Sequence, residues 1–148
     1  MSDAAFGADG AAGVVREVSR RFRSGDVDGA FRLYHPKIRV AQPDSLPHGG
    51  RHEGVAGLGR MAAEFGRHWD RTIGEPRILG CGPSVVQVTT QTWTAKRTGR
   101  SATVDVVELI ALTDGLVSEI RVFPQDTHLL LATLDEPGSE PGPDRQGT

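Results

Sequence analysis

The chain has 148 residues, of which 37% are hydrophobic and 24% are charged, a composition typical of one globular domain with its own core. Its 17 basic and 19 acidic residues nearly balance, so charge gives no indication of a nucleic-acid-binding surface. The single cysteine, Cys81, excludes an internal disulfide, and no stretch approaches the roughly 20 apolar residues that span a bilayer. No secretion signal opens the chain, so we expect a cytoplasmic protein whose partner is a neutral or organic small molecule.

Apolar residues at helical spacing predict two helices at the start of the domain. Val14, Val18 and Phe22 mark the first, and Gly25 and Asp26 are its C-cap and the N-cap of the next. The second helix carries apolar residues at i, i+3, i+4 and i+7: Val27, Ala30, Phe31 and Tyr34. Residues 1–12 and 135–148 contain too few apolar side chains to offset the entropy of ordering, so we expect disordered tails around a domain at 13–134.

The middle of the chain predicts a strand, a polar loop and a third helix. The strand is "IRVAQ", the loop is "AQPDSLPHGGRHEG" at 41–54, and the helix follows a third apolar stripe. That stripe consists of Val55, Leu58, Ala62, Phe65 and Trp69.

From Arg77 onward the apolar pattern changes to a period of two. The runs "RILG", "SVVQVTTQTWTAK", "SATVDVVELIALT" and "LVSEIRVF" predict an antiparallel meander, and "QDTHLLLATL" predicts a short helix against the sheet edge. Helices first and a curved sheet second predict an α+β fold. We expect a cone-shaped antiparallel sheet, covered on one face by three helices, that encloses a pocket.

One carboxylate is isolated on an apolar strand face. In "SATVDVVELIALT" alternate side chains share a face, and Glu108 is the single polar member of its row. Desolvation there disfavours the charged form, so we expect a raised pKa and an acid or base function for Glu108. The alternative is that Glu108 satisfies a buried arginine or hydroxyl group.

The preceding strand leaves two interpretations open. One set of alternate residues is Gln87, Thr89, Gln91 and Trp93, and the other is Val86, Val88, Thr90 and Thr92. If Thr98 and Gly99 form the centre of an even-length turn, Thr89 pairs with Glu108 and the Gln/Trp set lines the pocket. A bulge would reverse the two faces.

The loop carries four side chains that turn geometry does not explain: Asp44, His48, His52 and Glu53. At the mouth of the cone, His48 and Asp44 could transfer protons, while His52 and the inward-pointing Gln42 could bind substrate. The glycines make "HGGRH" a poor metal signal compared with a helical pair of histidines, so we expect no metal. The alternative is that both histidines are solvated loop residues.

The outer face of the strand that carries Glu108 becomes apolar toward its end, at Val107, Leu109 and Ala111. Because the helices cover the other face, we expect a second copy of the chain to cover this one in a homodimer.

The order of these elements resembles the nuclear transport factor 2-like superfamily, which includes ketosteroid isomerases, SnoaL-like polyketide cyclases and several epoxide hydrolases. The residues that carry the resemblance are "SGDVDGAFRLYHPKIRV", the loop leading to "GRHEG", and "VDVVELIALTDGLVSEIRVF". It covers residues 13–134. The superfamily contains both enzymes and non-catalytic binders, so the resemblance indicates the fold more specifically than the activity.

The comparison with ketosteroid isomerases assigns roles residue by residue. Glu108 matches their oxyanion-donating acid, but their general-base aspartate falls on Gln42 and their oxyanion tyrosine on Val18. Glutamine is no base and valine no donor, so steroid-type isomerisation is disfavoured.

The resemblance therefore implies a SnoaL-like cyclase or isomerase, without a cofactor, that acts on a polyketide-like substrate. The expected catalytic residues are Glu108, His48 and Asp44. The expected substrate-binding residues are Gln42, Tyr34, His52, Trp69, Gln91 and Trp93. The alternatives are a non-catalytic small-molecule binder and a dimeric assembly module, and a well-filled cone would favour the latter.

Overall fold

The computed structural model describes residues 10–136, in which one curved sheet is covered by helices. In chain order the elements are α1 (Gly10–Arg23), α2 (Val27–Phe31), β1 (Tyr34–Gln42), β2 (Gly50–Glu53), α3 (Gly54–His68), β3 (Trp69–Ile73), β4 (Arg77–Cys81), β5 (Ser84–Ala95), β6 (Ser101–Thr113), β7 (Leu116–Pro124) and α4 (Thr127–Ala132). The predicted α+β fold, a cone-shaped sheet covered by helices, is confirmed.

The sheet has seven strands in the order β2-β1-β7-β6-β5-β3, and β4 also pairs with β5. Neighbouring strands run antiparallel except β1 and β7, which are parallel. The sheet is therefore mixed, because the last strand returns to lie beside the first in the same direction.

The first helices follow the sequence prediction, with shifted ends. Asp26 caps α2 by accepting a hydrogen bond from Gly29 N at 2.9 Å. α1 already begins at Gly10, inside the segment expected to be a tail, because Ala11 and Ala12 are buried in the core. Residues 1–9 and 137–148 of the predicted tails lie outside the described residues.

Three segments differ from the sequence prediction. Tyr34 begins β1 instead of ending a helix, because the preceding residue, Leu33, accepts a hydrogen bond from Val117 N of β7 through its backbone carbonyl. Trp69 begins β3 instead of ending α3, since 69–73 pair with β5. The end of the polar loop forms β2, which pairs with β1.

Two apolar clusters fill the two ends of the cone. The α1 cluster joins α1 and α2 to the sheet and contains Ala12, Val15, Val18, Ala30, Ile38, Leu58, Val85, Ile110 and Val117 among its buried members. The tryptophan cluster contains Leu46, Trp69, Trp93, Ala95, Ala102, Val104, Val106 and Leu130. Leu130 belongs to α4, so the predicted short helix forms, but it packs on β6, a central strand, instead of the sheet edge.

The loop between β1 and β2 depends on a glycine. A Cβ atom at Gly49 would lie 2.2 Å from the backbone oxygen of Pro43. At Gly59, on an exposed face of α3, a Cβ atom would meet nothing within 4 Å.

We therefore expect Gly49→Ala to lower the free energy of unfolding by about 1–3 kcal/mol through overpacking. Gly59→Ala should raise it by about 0.5–1 kcal/mol, because alanine favours the helix. Urea denaturation of both variants measures these changes, and a Gly49→Ala protein as stable as wild type would contradict the tight loop.

Candidate functional site

The concave face of the sheet carries half-buried side chains between the two clusters. Glu108 lies between Val106 of the tryptophan cluster and Ile110 of the α1 cluster. The half-buried residues around it include Tyr34, Gln42, Met61, Phe65, Gln87 and Val122. Because these side chains on the concave face are only half-buried and include the carboxyl group of Glu108, we take this region as the candidate site.

Glu108 is held by the neighbouring strand. Gln87 Nε2 donates a hydrogen bond to Glu108 Oε1 at 2.7 Å. Burial raises the pKa of Glu108, while the hydrogen bond from Gln87 and the charge of Arg71 oppose that shift. The carboxyl group is thus poised toward its protonated form in a largely apolar site.

The register of β5 and β6 decides between the two interpretations of the strand. Gln87, Thr89, Gln91 and Trp93 face the same side as Glu108, but Glu108 pairs with Gln87, and the predicted pairing with Thr89 is wrong. The loop at 96–99 is closed by a hydrogen bond from Ala95 N to Arg100 O at 2.8 Å. Because this loop is not centred on Thr98 and Gly99, the register moves by two residues and no side chain changes face.

Tyr34 extends the site toward the α1 cluster. Its ring packs against Phe31 and Phe22, with centroid distances of 5.6 and 6.2 Å. Burial and then the negative charge of Glu108 raise the pKa of Tyr34, which shows that the phenol lies within electrostatic range of the carboxyl group. Tyr34 therefore presents a neutral hydroxyl group near Glu108.

Gln91 and Trp93 face the interior, but their polar atoms bind each other. Trp93 Nε1 donates to Gln91 Oε1 at 2.8 Å, and Gln91 Nε2 donates to Thr89 Oγ1 at 2.9 Å. Trp69 Nε1 likewise donates to Thr133 Oγ1 at 2.8 Å. The indole N–H groups of Trp69 and Trp93 are thus already used within the protein.

His48 is enclosed by aromatic rings. It is 3% exposed, and its ring centroid lies 5.2 Å from that of Phe65 and 5.8 Å from that of Trp93. Among residues 10–136, its buried Nδ1 atom has no hydrogen-bond partner. Burial lowers the pKa of His48 to about 4, and the charge of Arg71 adds to the effect. His48 is thus a neutral interior residue, and the alternative of a solvated loop histidine is wrong for it.

The structure separates the other loop candidates. His52 Nε2 lies 2.8 Å from the backbone oxygen of His48 and braces the loop. Gln42 points inward as predicted, with Nε2 3.6 Å from Met61 Sδ. Asp44 is exposed and makes no hydrogen bond or ion pair with the residues that the structure describes. A proton-transfer role for Asp44 stays a prediction that no contact supports.

Sequence reasoning missed two polar residues of this region. The alternation of the strand puts Gln87 on the same face as Glu108. Its pairing with Glu108 depends on the length of the loop between β5 and β6, which the sequence pattern did not fix. Arg71 lies in β3 opposite Trp93, on the concave side, and its Cζ atom lies 4.5 Å from the centroid of the Phe65 ring. β3 is short and polar and was not predicted, so no signal in the sequence indicated the position of Arg71.

A second concavity lies outside the cone. A groove of about 700 Å³ runs between α1 and the start of β4 and is lined by Arg16, Ser19, Arg20, Arg23, Ser24, Glu75, Pro76 and Ile78. Glu108 is not among the residues that line this groove. Among residues 10–136 no group of three or more histidine, cysteine, aspartate or glutamate side chains could hold a metal ion, and no helix there is long and apolar enough to cross a membrane.

Comparison with known proteins identifies the family. The model of the SnoaL-like domain matches residues 15–120, so the chain belongs to the SnoaL-like family of the nuclear transport factor 2-like superfamily. None of the curated proteins compared with the chain matches it.

Solved structures share the fold at low identity. A nuclear transport factor 2-like protein from Burkholderia xenovorans LB400 is 24% identical, with a TM-score of 0.74 over 84% of this chain and 95% of that one. TerC, co-crystallised with polyporic acid, is 23% identical, with a TM-score of 0.75 over 84% and 97%. A candidate SnoaL-like polyketide cyclase from Mesorhizobium loti is 20% identical, with a TM-score of 0.59 over 76% and 97%.

The lowered pKa of His48 predicts a pH-dependent stability. Between the unfolded value near 6.5 and the folded value of about 4, the unfolded chain binds more protons, so the stabilising contribution is lost as the pH falls through this window. Relative to His48→Phe, which keeps a ring but cannot titrate, wild type should lose about 2–3 kcal/mol between pH 7 and pH 4.

Urea denaturation at several pH values measures this difference. His128→Gln, which changes an exposed histidine of α4, is the control and should follow wild type. Parallel stability curves for wild type and His48→Phe would show that His48 is not buried as a neutral ring.

Proposed function

We propose that the protein is a cofactor-independent cyclase or isomerase that acts on a mainly apolar, polyketide-like small molecule. The observation that carries this proposal is Glu108, the carboxyl group inside a largely apolar cone, with its raised pKa and its hydrogen bond from Gln87. Membership of the SnoaL-like family, and the resemblance of the fold to a candidate polyketide cyclase, support this class of activity.

Glu108 can perform both proton transfers of such a reaction. In its protonated form it donates to an oxygen or carbon atom on which charge develops, and as a carboxylate it recovers a proton from another atom of the same substrate. No proton is gained or lost overall. Gln87 keeps the carboxyl group in place, and the neutral hydroxyl group of Tyr34 is a further donor near it.

The apolar walls supply the remaining part of the mechanism. Val122 packs against both clusters and pairs with Glu108 across the β6–β7 ladder, while Met61 faces Gln42 from α3. A flexible chain confined by such walls is held with its reacting carbons close together, which lowers the barrier to ring closure without a cofactor.

The second candidate function is a non-catalytic small-molecule binder. It is favoured by the internal pairing of Gln91, Trp93 and Thr89, which leaves few polar groups for chemistry. The co-crystallisation of TerC with polyporic acid supports a small-molecule ligand for a protein of this fold. The third alternative, an assembly module with a filled cone, is disfavoured by the half-buried side chains around Glu108.

Variants of Glu108 separate an enzyme from a binder. Polyketide-like compounds that raise the melting temperature of wild type are first identified, and their conversion is followed by mass spectrometry. Glu108→Gln keeps size and a hydrogen-bond donor but cannot transfer a proton, so kcat should fall by about a hundredfold or more while the compounds still bind.

Glu53→Gln is the matched control, because Glu53 is exposed and makes no side-chain capping bond. Its kcat should equal that of wild type. Full turnover in both Glu108→Gln and Glu108→Ala would refute the catalytic proposal, and tight binding without conversion by wild type would favour the binder.

We also propose that the protein is a homodimer through the outer face of the sheet. Leu79, Leu109 and Phe123 are 61%, 37% and 44% exposed there. Strand pairing places them beside Val86, Val88 and Val107 in an apolar patch across four strands. The exposed Arg77 and Arg121 lie on the same face, opposite Val88 and Leu109, and border this patch. Beyond the patch the face becomes polar, with Thr92 and Thr103 hydroxyl groups 2.8 Å apart. A second copy is the partner with a matching apolar patch.

Sedimentation of variants tests the dimer. Wild type should be a dimer at micromolar concentration, and Leu109→Asp should shift it to a monomer, because a buried unpaired carboxylate is costly. Thr103→Asp, on the same face of the same strand but in the polar part, should remain a dimer. A wild-type protein that stays monomeric would contradict the proposal.

A further inference from the structure

Arg71 lies beside the tryptophan cluster on the concave face and has no hydrogen-bond or ion-pair partner among the described residues. Its strand partner is Trp93, which places it on the concave side, and its guanidinium group lies over the ring of Phe65 at 4.5 Å. No ion pair or hydrogen bond joins its guanidinium group to residues 10–136. By contrast, Arg21 in α1 is paired with Glu17 and with the backbone oxygen of Gly29.

The position of Arg71 is fixed by packing. The Phe65 ring beneath it contacts Trp93 edge-to-face at 4.8 Å and Trp69 at 5.5 Å. Both tryptophans are buried and hydrogen-bonded through their indole nitrogens. Phe65 is therefore held on two sides, and a guanidinium group stacked on it is oriented before any ligand arrives.

The surroundings of Arg71 leave its charge available. Arg71 is exposed, although neighbouring protein atoms lower its pKa through desolvation and the charge of Glu108 opposes that shift. The nearby His48 is neutral. The guanidinium group is pre-oriented on Phe65, and its N–H donors, which have no partner among the described residues, are open to an anionic oxygen.

We propose that Arg71, stacked on Phe65, is the receptor for an anionic oxygen group on a planar organic acid that binds in the cone. The group is a carboxylate or an ionised enol or phenol, and the inference rests on the proposed function only in taking the cone as the ligand site. The planar fork of arginine matches two such oxygens. The stack of Arg71 on the half-buried Phe65 ring favours a flat ligand body that can lie along it.

A phosphate ligand is disfavoured at this place. Phosphate groups carry nearly two charges and are usually held by several cations or by backbone N–H groups, whereas the site proposed here rests on the single guanidinium group of Arg71. Glu108 also lies within electrostatic range of Arg71, and its partial ionisation would repel a dianion more than a monoanion.

The receptor would place the ligand against the proposed acid. Arg71 and Glu108 project from the same face of the sheet, in the strands on either side of β5, so an anion on Arg71 leaves the rest of a planar molecule on the face that carries Glu108. The negative charge of the ligand also favours the protonated form of Glu108. Substrate binding and the protonation of the acid would thus support each other.

Calorimetric titration with two probes of the same shape tests the receptor. The probes are 2-naphthoate, which is an anion, and 2-naphthamide, which is neutral. Wild type should bind naphthoate about tenfold or more tightly than the amide, the margin of a charge-assisted hydrogen bond, and the preference should shrink at high salt. Arg71→Met should abolish the preference and leave amide binding nearly unchanged, while Arg71→Lys should retain part of it.

Arg77→Met is the matched control, because Arg77 is exposed in β4 on the opposite face of the sheet, opposite Val88. It should keep the full preference. Equal binding of the two probes by wild type, binding of neither, or an undiminished preference in Arg71→Met would overturn the receptor.

Glu108→Gln separates this inference from the proposed chemistry. The receptor predicts that this variant still prefers naphthoate, whether or not Glu108 transfers protons. A preference that survives in Glu108→Gln alongside unchanged turnover would support the receptor and reject the catalytic acid. Loss of turnover in Glu108→Gln, together with equal binding of the two probes by wild type, would support the catalytic acid and reject the receptor.

Discussion

The register of β5 against β6 is the constraint on which the interior depends. It sets Gln87 opposite Glu108 and Trp93 opposite Ala102. Arg71 of β3 then lies beside Trp93 on the same face of the sheet. A shift by one residue would move every one of these side chains to the outer face, and the valines of β5 would replace them. The loop at 96–99 fixes the register, so a short surface connection determines what the cone contains.

Glu108 is better explained by chemistry than by stability. A carboxyl group that served only the fold would be fully paired, because removing it from water is costly. Glu108 receives one side-chain hydrogen bond, from Gln87, and forms no ion pair with the described residues. Arg71 is near enough to influence its pKa but stacks on Phe65 instead of binding it. The cost of removing the Glu108 carboxyl group from water is therefore only partly offset, which is typical of functional sites.

The sequence predicted those features that depend on neighbours along the chain. The cap at Asp26, the alternation that turns Glu108 inward and the apolar outer face at Leu109 all follow from local spacing. Tyr34, Trp69 and Arg71 were misplaced or missed because each owes its position to a distant strand. β3 has no apolar alternation and exists because β5 offers an unpaired edge. The burial of His48 also required the fold, since Phe65, Trp69 and Trp93 surround it from three elements.

Because His48 is neutral, it adds no second positive charge beside Arg71. A charged imidazolium beside Arg71 would repel it and compete for the same anion, but aromatic packing keeps the imidazole uncharged near neutral pH. Near neutral pH the permanent charge of Arg71 and the protonatable carboxyl group of Glu108 therefore share the concave face with an uncharged His48. If Arg71 receives an anionic group as proposed, the ligand is held by that end, which limits the orientations of its apolar body in the site. Such fixed orientation is what a small apolar site needs in order to act on one bond of a flexible substrate.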